Sequence, residues 1–560
     1  MALFAVAGLP ALAQVRPDAG TLLESPSTTP VLPPQGGPPL TLPAPRRAVP
    51  GPAAVRMVPA AFRFTGNTVF SQEELAPLVA GRLGQPTDLA GLTEAANAVS
   101  AYYRSRGYLL TEAYLPEQAF SAAGGTVTIA VIEARVGRVT VQREGSGLSD
   151  GFAESLVASH LKPGDAVTDY ALDKSVLLLR DLAGYDASAT VEPGERVGEA
   201  NILVMVRAKD PQAEGSVSVD NHGARAAGAA RASANASLNN LLGRGDVLAV
   251  SAQQADQRGS DLYRVGYTVP VGTDGARVGL SVMRLDYALG KQFEVLGATG
   301  KADILALTVS RPFVRSRTTN VYGVLTAEQK KLQDQTTNPV LKSEREIVSL
   351  RLGVAGNFTD ALGAGTALNN YAATATLGKL KLSPADLALD AATPGGLQTA
   401  GVFNKINLEY QRAQYLEGAS SLHFMAQAQL ASKNLSSAEK MALGGPNGVR
   451  GYPVGEGIGD AGALMSLEYR YQVPTSVRGA PLSLLAFYDF GQVRFNQNGS
   501  SVPGAANSIS LGSIGIGATL GQAGRFLLKT YLAWPTTPAS PTTGDPERVP
   551  RAWLSAQTWF

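Results

Sequence analysis

Gly444-Gly-Pro-Asn-Gly-Val-Arg-Gly-Tyr452 lies between two alternating segments, Leu422, Phe424, Ala426, Ala428, Leu430 before it and Met465, Leu467, Tyr469, Tyr471, Val473 after it. Alternation with a period of two marks strands with one apolar face. The stretch is therefore the connection of a β-hairpin, about thirty residues long where roughly 2–5 is usual. Eight of the nineteen residues from 444 to 462 are glycine, so the backbone can take positive φ angles and pack closely. Arg450 is the single cation among them. Two readings are open: a solvated loop with an incidental arginine, or a long loop kept because it acts.

The next strand separates them. In Phe487-Tyr-Asp-Phe-Gly491, Asp489 shares a face with Phe487 and Gly491, opposite Tyr488 and Phe490. A carboxylate in an aromatic strand needs a partner once it is secluded from water, and a planar guanidinium matches it best. Val449-Arg-Gly-Tyr452 followed by Phe487-x-Asp489-x-Gly491 resembles the paired signature of the two-partner secretion transporters, which export haemolysins and adhesins across the outer membrane. The resemblance implies that the loop after the eleventh strand folds back into a barrel, where Arg450 meets Asp489. It implies a membrane β-barrel of about sixteen antiparallel strands, preceded by two small α+β polypeptide-transport-associated (POTRA) domains.

The totals agree with such a chain. At 560 residues it exceeds one ordinary core. Charged residues are 17%, against about 25% in a typical soluble protein. A net charge of +2 gives no electrostatic case for nucleic acid. The absence of cysteine removes disulfides and thiolate metal sites. No apolar run is long enough for a membrane helix, which says nothing against spanning strands.

Residues 1–13 resemble the apolar core and Ala-x-Ala cleavage site of a signal peptide, lacking its basic start. Residues 14–56 hold eleven prolines between Gln14 and Pro52 and read as a linker. Family members often carry a plug helix there, but no stretch ahead of the prolines is amphipathic for long enough. Residues 57–136 read β-α-α-β-β, with Ser71-x-x-Glu74 as a capping box and Leu92, Ala95, Ala96, Val99, Tyr102 and Tyr103 on one helical face. The order recurs over 137–208, and Gly107-Tyr108 and Gly184-Tyr185 mark the same helix-to-strand passage in each copy. Phe64-Thr-Gly-Asn-Thr-Val-Phe70 with Tyr103-Arg-Ser-Arg-Gly-Tyr108 resembles the family's first POTRA domain. Open sheet edges in such modules can accept an unfolded chain as an added strand.

Residues 209–560 alternate throughout and read as the transmembrane barrel. Tyr263, Val265, Tyr267, Val269 and Val271 interleave with Arg264, Gly266 and Thr268; Ser466, Glu468, Arg470 and Gln472 oppose the apolar face of their strand. Lipid outside and water inside require that division. The terminal Phe560 matches the end of outer-membrane barrels, a signal read by the barrel assembly machinery.

His160, His222 and His423 are far apart, with no ligand spacing, and there is no nucleotide loop or nucleophile elbow. His160 reads as a capping or solvated residue, and Glu133 and Asp286 as ordinary strand acids. The sequence shows no catalytic site, metal site or cofactor site. The leading reading is a translocator that captures an unfolded, secreted β-helical exoprotein and passes it through a lipid-embedded barrel as the Arg450 loop rearranges. The alternatives are a barrel assembly factor, which usually carries three or more POTRA units, and a passive porin.

Overall fold

The computed structural model describes residues 16–23, 40–41, 57–119, 124–145, 147–209, 213–363, 365–392, 395–474, 476–499, 506–522, 524–537, 543, 545 and 548–560. Residues 1–13, read as a signal peptide, lie outside them.

The first small unit runs through strand Pro59–Thr65, helices Gln72–Val79 and Leu89–Ser105, and strands Glu112–Tyr114 and Gly125–Ile132. Ser71 Oγ accepts from the Glu74 amide at 3.3 Å and the Ser71 amide donates to Glu74 Oε2 at 2.9 Å, the reciprocal cap expected from the sequence. Leu92, Ala95, Ala96, Val99 and Tyr103 pack on Val127 and Ile129 of the central strand. Gly107 stops the second helix at φ +89°.

The second unit repeats the order: strand Arg135–Glu144, helices Asp150–Ala158 and Asp169–Arg180, strands Tyr185–Pro193 and Glu199–Ala208. Its core joins Leu156, Leu172, Val176 and Leu179 to Ile202 and Val204.

Sixteen antiparallel strands, from Ala213–Asp220 to Arg551–Trp559, close into a barrel. The last strand pairs with the first from Ser555↔Asp220 to Trp559↔Ser216, so no edge is left unpaired. Leu280, Val282, Leu305, Leu307, Leu350, Leu352, Ile514 and Ile516 are exposed on the outside, while Glu328, Lys330, Asp334 and Ser349 are buried within. A buried polar lumen with an exposed apolar exterior is the inverse of a soluble protein, and lipid is the solvent that stabilises it.

The second unit sits against one rim of the barrel. Arg315, in the turn region between the sixth and seventh barrel strands, donates to both oxygens of Asp181 at 2.8 and 2.7 Å, and Arg317 reaches Asp173 at 2.7 Å. Asn240 Nδ2, after the second barrel strand, donates to the Tyr185 hydroxyl at 2.5 Å. The long loop after the eleventh strand enters from the opposite end.

Two described pieces of the proline-rich range 14–56, residues 16–23 and 40–41, have fixed places in the fold. Ala19–Leu22 form a helical turn capped by Asp18, whose side chain accepts from the Thr21 amide. The turn lies inside the barrel: the Ala19 amide donates to Asp334 Oδ1 at 2.8 Å, and Arg345 pairs with Asp18 at 3.0 Å. Leu40–Thr41 pair parallel to strand Tyr185–Pro193 of the second unit. Composition could not reveal either placement, because both are fixed by partners far along the chain.

Candidate functional site

Residues 432–460 connect the eleventh strand, Ser420–Ala431, to the twelfth, Ala461–Gln472, and fold back into the lumen. Leu443, Val449 and Tyr452 of the loop pack with Leu464, Val493 and Leu511 of the wall, an apolar cluster inside a polar barrel. Two glycines permit the approach. A Cβ on Gly451 would lie 2.8 Å from Ser513 Cβ, and one on Gly491 would lie 2.7 Å from Leu443 Cδ2, so neither position has room for a side chain. The Tyr452 hydroxyl donates to the Thr537 carbonyl.

This packing brings Arg450 to Asp489. Arg450 Nε donates to Asp489 Oδ2 at 2.9 Å and Nη2 to Oδ1 at 2.6 Å, a two-point fork, and the Arg450 amide adds 3.1 Å to Oδ2. The guanidinium carbon stands 3.4 Å from the Phe487 ring centre and 5.1 Å from that of Tyr531. The Arg450 side chain is 4% exposed and that of Asp489 0%.

The constellation is larger than a pair. Arg450 Nη1 donates to Glu468 Oε1 at 2.6 Å, and Glu468 also accepts from Arg470 Nε at 2.8 Å. Ser466 and Ser513 both donate to Asp489, at 2.7 and 3.2 Å, and Trp553 Nε1 donates to the Arg450 carbonyl at 2.8 Å. Two guanidinium groups thus balance two carboxylates, Arg450 and Asp489 buried and Arg470 at the open edge, and nearly every polar atom has a partner. Alternation placed Ser466 and Glu468 on the inner face. Their contact with Arg450 follows from register, which sets Ser466 and Ser513 on either side of Asp489.

Other residues singled out from the sequence lie elsewhere. Phe560 ends the barrel seam, its amide donating to the Gly215 carbonyl at 3.0 Å. His160 Nδ1 is 3.0 Å from the Leu156 carbonyl at a helix end, and burial pushes its pKa down. His222 stacks edge-on to Trp553, and His423 Nε2 lies 3.0 Å from Ser421 Oγ, so the three histidines do not meet. Among the described residues no His, Asp and Glu cluster is arranged for a metal ion.

Glu133 has more to do than an ordinary strand acid. Its carboxylate accepts from the Thr68 and Val69 amides at 2.7 and 2.8 Å, from the Thr68 hydroxyl and from Tyr103 Oη at 2.8 Å. Burial pushes its pKa up, but these donors outweigh burial and hold it below the usual carboxylate value. Tyr103 is pushed well above its ordinary value by burial and by the Glu133 charge. Asp286, by contrast, is a half-exposed partner of Arg284 at 2.7 Å.

A family model described as haemolysin secretion/activation protein ShlB/FhaC/HecB matches residues 198–519, and one described as POTRA domain, ShlB-type, matches residues 59–134. The heme/hemopexin transporter protein HuxB of Haemophilus influenzae is 29% identical over 466 residues, 83% of this chain and 80% of that protein. The outer membrane transporter CdiB of Dickeya dadantii is 24% identical over 419 residues, 73% of this chain and 71% of its own. The solved structure of CdiB from Escherichia coli superposes with a TM-score of 0.72 over 92% of both chains at 20% identity, a likeness of fold.

Proposed function

The chain belongs to the haemolysin secretion/activation family of outer-membrane two-partner secretion transporters, with its POTRA units in the periplasm, and from that premise we propose how it exports its partner. An unfolded exoprotein, β-helical once folded outside, is captured at residues 57–208 and passed through the barrel lumen. Open sheet edges supply main-chain hydrogen bonds with little demand on sequence, which suits a long unfolded substrate. No nucleotide is available in the periplasm, so folding of the emerged chain outside supplies direction.

The observation that carries the reading is the Arg450 network. A loop held across the lumen by buried charges obstructs passage while they are paired and clears it when they separate. Ion pairs are poor stabilisers relative to apolar packing but serve well as switches between two arrangements. Lipid surrounds the barrel, and the strand ending at Phe560 is read by the barrel assembly machinery during insertion.

The test is secretion. This chain is expressed with a candidate large β-repeat exoprotein. The exoprotein should reach the medium only when the chain is present. An exoprotein left in the periplasm, while other barrels fail to assemble without this chain, would replace the translocator with an assembly factor.

A further inference from the structure

Arg450 is not the loop's sole ionic attachment. Eleven residues earlier, Glu439 is buried at the end of a short helical turn, Ser437–Glu439, with its side chain 0% exposed. Lys330 Nζ, on the seventh barrel strand, lies 2.7 Å from Glu439 Oε1, and Lys405 Nζ, on the tenth, lies 2.8 Å from Oε2. Lys405 Nζ also donates to the Glu439 carbonyl at 3.0 Å, and Gln429 Nε2 donates to the same oxygen at 3.0 Å. Glu328 pairs with Lys330 at 3.2 Å and with Arg351, so the cluster carries three cations and two carboxylates.

The two attachments hold different walls. Arg450 is bound by side chains of the twelfth and thirteenth strands and by Trp553 of the last, and Glu439 by the seventh, tenth and eleventh. Lys330 on the seventh strand stands six strands from Asp489 on the thirteenth in a ring of sixteen, while Lys405 and Gln429 hold Glu439 from the tenth and eleventh strands, between them. The loop is therefore strung across the lumen. Its first arm also seats the N-terminal turn: Ser437 Oγ donates to Asp18 Oδ2 at 2.7 Å, and Gly20 packs so closely on Ser437 and Ala438 that a Cβ there would clash with both.

We propose that Glu439 is a second anchor of the loop, a positioning residue that must leave Lys330 and Lys405 before the lumen clears, and that its release unseats residues 18–23. This rests on the translocator reading. The physical reason is the same as for Arg450: a carboxylate with no exposure, bridged by two lysines, cannot move without trading both ion pairs for water. Breaking the Arg450 network alone would free one end of the loop while the other still carried the N-terminal turn across the channel.

The experiment uses the full chain in planar bilayers and in secreting cells. Barrel insertion is checked by heat-modifiable migration. Glu439→Gln should raise the open probability at least about tenfold over the unmodified chain. Glu439→Asp, which keeps the charge on a shorter stem, should fall between them. Lys405→Gln, which leaves Lys330 in place, supplies a milder variant should Glu439→Gln insert poorly. In a chain without native cysteine, joining the pair Lys330→Cys and Glu439→Cys with a short bismaleimide should stop secretion that the unjoined variant supports. Secretion by the joined protein at the unjoined rate, or gating of all three single variants like the unmodified chain, overturns the proposal. Absence of secretion by the unmodified chain would instead count against the translocator reading, and the conductance measurements would still decide on the anchor.

Discussion

Replacing Arg450 with alanine removes a guanidinium that is 4% exposed and leaves Asp489, at 0%, and Glu468, at 12%, with one fewer cation between them. Losing one member of a buried pair costs about 3–5 kcal/mol, much of it the penalty of the charge left behind. Stacking on Phe487 adds roughly another 1 kcal/mol. That penalty applies only while the loop is docked, because a released loop lets water reach Asp489. At about 1.4 kcal/mol per tenfold, the released population rises about 10³- to 10⁴-fold. The barrel should still insert, since its ladders and seam do not involve Arg450.

The assay is thiol labelling at Val449→Cys. Val449, in the loop beside Arg450, is 0% exposed while the loop is docked, and the chain has no other cysteine to report. Labelling should accelerate by the same 10³- to 10⁴-fold when Arg450→Ala is added. Arg450→Lys should be intermediate: it keeps the charge but loses the fork and the ring contact. An acceleration below about tenfold would refute the idea that Arg450 holds the loop. The network also changes what a charge exchange should do. A simple pair would be restored by Arg450→Asp with Asp489→Arg. Because Glu468 Oε1 lies 2.6 Å from Arg450, an aspartate at that position faces a second carboxylate. The exchange should therefore rescue little until Glu468→Gln is added.

Two further outcomes follow from the periplasmic units. Glu133→Gln should loosen residues 66–70 at pH 7, raising their amide exchange about 5- to 100-fold for about 1–3 kcal/mol of lost hydrogen bonding. Because the folded-state pKa of Glu133 is depressed, its contribution is complete above about pH 4.3 and is lost as pH falls through the folded value, so unmodified protein should approach the variant only below pH ~4. Arg315→Ala removes the two-point grip on Asp181, where Arg315 is 3% exposed, for about 3–5 kcal/mol of local interaction. Spin labels on the second unit and on the barrel rim should then show a broadened distance distribution, and an unchanged one would place the hold elsewhere.

Much of this architecture is legible because the bilayer enforces a simple rule. Alternation alone separates Met465, Leu467 and Tyr469, exposed to lipid, from Ser466 and Glu468 within. Side-chain caps at Ser71, Asp88 and Thr168 start three of the helices of the two small units for equally local reasons. What alternation cannot give is register, and register makes the site: Ser466, Asp489 and Ser513 form a row only because three strands align. Glu439 is harder still. Its neighbours, Ser436-Ser-Ala-Glu-Lys440, read as an ordinary solvated loop, and Lys330 lies 109 residues away. Asp18 and Ser437 are 419 residues apart.

The buried charges share one cause. A barrel lumen is a wet place, where an ion pair at ~4 Å is worth about 1 kcal/mol, against about 4 at the lower effective dielectric near a protein surface. The loop itself supplies the difference, since Leu443, Val449 and Tyr452 exclude water from the pocket in which Arg450 meets Asp489. The pairs hold the loop in, and the loop keeps the pairs strong. Such a closure is cooperative: once an arriving chain loosens one contact and admits water, the remaining contacts weaken together. On the proposed reading, that coupling would let an arriving polypeptide release the whole loop from one contact, which a larger apolar plug would not allow.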